Sequence, residues 1–279
     1  MNTIKTALLL GLMSGLLLLG GEYFGGREGL YIGMMLAVGM NFFSYFFSDK
    51  IALAMYKAQP VSETENANIY KRIFPMTQNL CERMGIPVPK LWVIPDNSPN
   101  AFATGRNPKH ASMAVTVGLL QLMRDDELEG VVAHELGHIR NRDILISSIA
   151  ATIAAAITML ARMAFFFGGR RDGHGGGGMA GGIFMLFLAP IAAMLIQMAI
   201  SRTREFAADA TAARFTRNPE GLASALERLE GWSKRVPLDA SPATAHMFII
   251  KPFSGEAMMK LFSTHPPTQE RIARLRAMR

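Results

Sequence analysis

The chain has 279 residues, of which half are hydrophobic and only 18% are charged, and its mean hydropathy is positive. That balance points to an integral membrane protein carrying a modest soluble domain. A single cysteine, Cys81, excludes an internal disulfide framework and any Cys-based zinc site, and reads as a small apolar residue. The net charge of +7 does not indicate nucleic acid, because the Lys and Arg residues are scattered and concentrate near the apolar segments.

In chain order, the first apolar segment is a leucine-rich run of sixteen uncharged residues between Lys5 and Glu22, slightly short for a span. A cleaved signal peptide competes with that reading. It is weakened by the lack of a small-x-small cleavage site and by the second apolar run that follows at once. This second run, Leu30 to Phe47, is uncharged and ends in crowded aromatics, as at a membrane interface. A third runs from Ile144 to about Phe167, with Arg162 near its far end, where it can snorkel. The fourth, Ile183 to Ile200, contains Pro190, which a transmembrane helix tolerates.

Pairing these segments predicts two transmembrane hairpins and two soluble pieces. The hairpins are 1–47 (spans about 5–21 and 30–47) and 144–200 (spans about 144–167 and 183–200); the soluble pieces are 48–143 and 201–279. The connectors are short: Glu22 to Gly29, and the Gly-rich Gly168 to Gly182, whose His174 reads as a solvated loop histidine. An even number of spans puts both termini and the middle segment on one side. That side carries Lys5, Lys50, Lys57, Arg140, Arg142, Arg202 and Arg204 near the span ends, against Arg27, Arg170 and Arg171 on the other. By the positive-inside rule the soluble pieces face the cytoplasm.

In the first soluble piece, Pro60-Val61-Ser62-Glu63 predicts a helix start, with a helical pattern through Ile69, Ile73, Met76 and Leu80, ended by Gly85-Ile86-Pro87. Strand-like runs follow at Leu91–Ile94, Ala101–Thr104 and Met113–Gly118. Asp126, with Glu129 three residues on, predicts a capping box that opens the next helix. The fold class expected is α+β, mostly α-helical: an integral membrane protein with four transmembrane helices plus a cytoplasmic domain with a small three-stranded antiparallel sheet. In the second soluble piece, Leu222, Ala225, Leu226, Leu229 and Trp232 form an amphipathic stripe suited to core packing, and a last helix begins around Thr268.

The chemistry lies on the helix after the sheet. His134 and His138 are four residues apart, so on a helix they share a face, and two neutral imidazoles at that spacing reach one tetrahedral metal, usually Zn²⁺. Glu135 projects beside them, placed to take a proton from a water at the metal. A coincidental match on a surface helix is the plain alternative, but the chain has only six histidines and two of them fall here.

A catalytic zinc needs a third protein ligand and one open position. Glu205 is the best candidate, with Asp209 one turn on, able to accept a hydrogen bond from a ligand histidine and fix its tautomer. His138 lies six residues before the third span and Glu205 five after the fourth, so a hairpin between them returns both to one membrane surface. The charged run Ile139-Arg140-Asn141-Arg142-Asp143 keeps the site outside the hydrocarbon. An edge of the neighbouring sheet can pair with an extended peptide, the common way to hold a substrate backbone.

These motifs, together with Asn100-Ala101-Phe102-Ala103-Thr104-Gly105, Ser201-Arg202-Thr203-Arg204-Glu205 and Ser263-Thr264-His265-Pro266-Pro267, are similar to those of the M48 metallopeptidases. The family also contains the Ste24-type CAAX prenyl proteases, and the resemblance covers essentially the whole chain. It implies a membrane-bound zinc endopeptidase of the bacterial inner membrane, with one Zn²⁺ per chain. The implied role is quality control of misfolded membrane proteins, with room for cooperation with other membrane quality-control proteases. It assigns His134, His138 and Glu205 to the metal and Glu135 to catalysis. It places Asn100, Ala101 and Phe102 at the substrate edge, and His265 and Arg271 along the cleft.

His265 is then a candidate donor to the oxyanion, or else a turn histidine capping the last helix; Arg271 is a cleft residue or an ion-paired arginine. Two other classes compete. A non-proteolytic adaptor would use zinc structurally, but structural zinc is usually closed by four ligands, mostly cysteine. A CAAX-type prenyl-protein endopeptidase keeps the chemistry, but such enzymes have more spans and enclose a large chamber.

Overall fold

The computed structural model of the chain describes residues 2–146, 149, 202–233 and 266–278. Helix α1 (Asn2–Met55) is interrupted at Gly26, whose backbone (φ 55°, ψ −138°) lies where a side chain is strained. The two arms fold back on each other antiparallel. Gly21 touches Gly29 backbone to backbone, Gly33 meets Leu17, and Asn41 Nδ2 donates to Ser14 Oγ at 2.9 Å. Among the described residues, Gly26–Phe47 is the stretch long and apolar enough to cross a membrane, and Leu10–Leu19 is apolar but shorter. The third and fourth expected spans lie almost wholly outside the described residues.

The second arm of α1 continues past the apolar stretch into the rest of the protein. Ala52, Leu53 and Tyr56 pack against Ile94, Phe102 and Ala114 on one face of a sheet. That sheet is mixed and four-stranded: β1 (Gln59–Pro60), β2 (Lys90–Ile94), β3 (Ala101–Gly105) and β4 (Ala111–Thr116), in the order β1-β2-β4-β3. It replaces the expected three antiparallel strands. β3 and β4 form a hairpin through a 3₁₀ turn at Pro108–His110, which puts β3 at the outer edge and leaves β4 to pair with β2 in the parallel sense.

Pro60 sits in β1 rather than at a helix start. An edge strand tolerates its missing N–H, and Val61 N–H bonds to Leu91 O at 2.9 Å. A turn closed by Glu65 N–H on Ser62 Oγ follows, so α2 (Ala67–Met84) begins later than the Pro-Val-Ser-Glu run suggests. Cys81 on α2 is buried, and burial, with Glu82 beside it, pushes its thiol pKa up to about 12, as suits a packing residue.

After the short α3 (Val117–Leu122), helix α4 (Asp125–Arg140) runs through the middle of the core. Its Leu128, Val131, Val132, Leu136 and Ile139 are fully buried, each contributing on the order of 1.5–3 kcal/mol before ordering entropy. The cap differs from the expected Asp126/Glu129 pair. Glu127 accepts the Arg124 N–H at 2.9 Å and the Arg228 Nε at 2.7 Å, while exposed Asp126 engages the Arg124 guanidinium. A buried carboxylate needs such partners, and Glu127 is the one that turns inward.

Two helices pack across α4: α5 (Arg202–Thr216) and α6 (Pro219–Ser233). The contact with α6 is so close that a Cβ on Gly130 would stand 2.7 Å from Leu222 N. Helix α7 (Thr268–Arg276) lies on α5 and α6 and buries Ile272 and Leu275.

Candidate metal centre

α4 places His134 and His138 one turn apart with their rings edge to face, 4.8 Å between centroids. Their Nε2 atoms face each other at 3.2 Å. α5 crosses α4 at this turn and brings in Glu205, whose Oε2 lies 3.7 Å from His134 Nε2 and Oε1 3.5 Å from His138 Nε2. His134 and Glu205 are buried, and His138 is partly exposed.

These distances fit a metal ion. Ligands about 2.0–2.1 Å from a tetrahedral zinc stand ~3.3 Å from one another. The far ring nitrogens are also occupied: His134 Nδ1 is 2.9 Å from Asp209 Oδ1, and His138 Nδ1 is 3.4 Å from Asp143 Oδ2. The first contact is close but departs from straight hydrogen-bond geometry. Both carboxylates lie on the Nδ1 side, which leaves the two Nε2 atoms to share a cation, either a proton or a metal ion.

The charge around the pair points the same way. Burial lowers the pKa of His138, but the Asp143 hydrogen bond and the carboxylates of Glu205 and Glu135 outweigh it and raise it to about 9. Burial raises the carboxyl of Glu135, against the pull of His134 and His138, into the direction that suits a general base. The Ala103 backbone amide on β3 favours the charged form of Glu135, and β3 packs against α4 at this side chain.

Arg271, on α7, is the largest fully buried side chain among the described residues. Its Nε and Nη2 grip both oxygens of Asp209 at 2.9 and 2.7 Å, and its Nη1 lies 3.7 Å from Glu205 Oε2. Although burial works to raise it, the pKa of Asp209 falls to about 2 because Arg271 and His134 hold its charge. Arg271 thus sits behind the ligands, bracing one carboxylate of the triad and the partner of another ligand.

Among the other expected site residues, Asn100 is buried and tied through its backbone to β4, with Thr116 N–H on its carbonyl at 2.9 Å. Ala101 lies in the core beside α4, whereas the Phe102 ring packs on Tyr56 of the α1 side, 5.3 Å between centroids. His265 lies outside the described residues. Reading by residue type missed two groups: Asp143, the partner of His138, and the Ala103 amide. Asp143 stood in the sequence five residues after His138; no side-chain pattern signals a backbone amide.

Residues 68–279 match peptidase family M48. The chain is 53% identical over 283 residues to the "Protease HtpX homolog" of Desulfatibacillum aliphaticivorans, covering 100% of this chain and 90% of the relative. It is 53% identical over 285 residues to the protein of the same description from Persephonella marina, covering 100% of this chain and 98% of the relative. The crystal structure of S. mikatae Ste24p superposes with a TM-score of 0.55 at 18% identity; the alignment covers 98% of this chain and 65% of that one. That likeness is one of fold, and the chain spans under two thirds of the Ste24p length. With paired histidines, a facing glutamate and a full-length match all in agreement, the chain belongs to peptidase family M48 and is a metalloprotease.

Proposed function

We propose that this metalloprotease is a zinc endopeptidase of the bacterial inner membrane that hydrolyses peptide bonds in misfolded or damaged membrane proteins. The observation that carries the reading is the triangle of His134, His138 and Glu205, drawn together from two helices with Glu135 at its side. Two imidazole nitrogens and one carboxylate leave a tetrahedral ion one open position, the arrangement of catalytic rather than structural zinc. When bound, zinc supplies Lewis acidity to the scissile carbonyl and lowers the pKa of a water toward ~7.

The chain's own residues do the rest. Glu135 takes the proton of the attacking water and delivers it to the leaving amine, a task suited to a carboxylate whose pKa burial has raised. Asp209 and Asp143 hold the ligand imidazoles in one tautomer, and Arg271 acts as a positioning residue on Asp209 and Glu205. Asn100 turns its carbonyl toward β4, and by strand alternation Phe102 and Thr104 do likewise. The backbone of Ala101 and Ala103 then faces the outer edge, where an extended substrate pairs by strand addition. His265, three residues ahead of the helix that carries Arg271, is the proposed donor to the oxyanion.

The proposed topology is two transmembrane hairpins with both soluble pieces on the cytoplasmic face, and the site at the membrane surface. Its partners are the bilayer, unfolded membrane-protein substrates and other quality-control proteases. The test is cleavage of an unfolded membrane protein in proteoliposomes by the wild type, with and without a chelator, and by Glu135→Gln. Cleavage that stops with the chelator and in the mutant supports the reading; equal cleavage by Glu135→Gln removes it.

A further inference from the structure

We infer that the centre cuts substrate chains close to where they leave the bilayer, so that the span-proximal residues of membrane proteins are its substrates. The inference deepens the functional reading above and rests on it. The apolar stretch of α1 ends at Phe47, and the helix continues to Met55. Just past that end, Ala52, Leu53 and Tyr56 clamp Phe102 of β3. Arg106, the residue after β3, holds its guanidinium 5.2 Å from the Phe46 ring, and Lys50 Nζ lies 5.1 Å from the Phe47 ring. Cations over aromatic rings at the end of an apolar helix are the chemistry of a membrane–water interface. The C-terminal end of β3 therefore lies at the level of the bilayer surface.

Three residues back along the same strand, Ala103 lies where β3 packs against α4, the helix that carries Glu135. Three residues of strand span about 10 Å, and the Arg106 side chain bridges the remainder to Phe46. An extended substrate running alongside this path covers it with roughly three to seven residues. Because the Phe102 contact fastens the strand to α1, the interval is set by packing rather than by a linker. The enzyme thus carries a ruler whose zero is its own membrane helix.

The test uses the full-length zinc-loaded protein in liposomes, with single-span substrates whose cytoplasmic segment is a uniform cleavable repeat of about 10 or about 40 residues. The same repeats detached from their span serve as soluble substrates, and cut sites are mapped by mass spectrometry. We expect cuts within roughly the first ten residues after the span for both lengths, and at least about tenfold slower cleavage of the soluble repeats. Cuts spread evenly along the longer segment, or equal rates on the soluble repeats, overturn the inference and leave the catalytic reading intact. Failure to cleave any version, when Glu135→Gln and wild type behave alike, removes the catalytic reading and the inference with it.

Discussion

Arg271 holds both carboxylate oxygens of Asp209, and the same Asp209 stands 2.9 Å from His134 Nδ1. One buried carboxylate thus links the last described helix to a metal-binding imidazole on α4. The ligand geometry therefore depends on α7, a helix that carries none of the ligands.

Asp209→Asn keeps the shape but weakens the hold on His134, so zinc affinity should fall about 10- to 100-fold, read by competition with a fluorescent chelator. Asp209→Ala should cost more, because buried Arg271 loses both of the carboxylate oxygens that its Nε and Nη2 grip. The expected loss is about 3–5 kcal/mol in denaturant unfolding. Unchanged zinc affinity in both variants would remove Asp209 from the centre.

The pH dependence follows from His138. Its folded pKa of about 9 lies above the ordinary imidazole value, so in chelator-stripped protein its proton stabilises the fold fully below ~6.5. That contribution is lost as the pH rises through about 9. Zinc must displace the same proton, so apparent zinc affinity should climb by up to ~tenfold per pH unit until about 9. Isothermal titration at a series of pH values measures this; a plateau already at neutral pH contradicts it.

Gly130 sets how close α6 approaches the metal helix. A methyl group there would stand 2.7 Å from the Leu222 backbone nitrogen, and a backbone atom cannot step aside alone. Gly130→Ala should destabilise the fold by about 1–3 kcal/mol despite the better helix propensity of alanine. A thermal or denaturant midpoint equal to or above that of the wild type would count against this packing.

Much of the centre is readable in the sequence because helical geometry is local. The four-residue spacing of His134 and His138 fixes a shared face, and the structure puts their Nε2 atoms 3.2 Å apart. Glu205 is accessible to reasoning only through the expected hairpin, which brings distant ends together. The strands are found nearly in place, since alternation and Pro/Asn/Gly turns are local signals. Strand order is not, because the parallel pairing of β2 with β4 depends on β3 taking the outer edge. Likewise the burial of Arg271 is invisible from its neighbours: its partner Asp209 lies 62 positions earlier. The helix cap was displaced from Asp126/Glu129 because Arg228, on another helix, draws Glu127 inward.

Glu205 is the residue that closes the metal triangle across two helices. The most direct measurement is the zinc content, by elemental analysis, of wild type, Glu135→Gln and Glu205→Ala purified side by side. We predict one zinc per chain in the first two and its loss in Glu205→Ala. Full occupancy in Glu205→Ala would contradict the central claim.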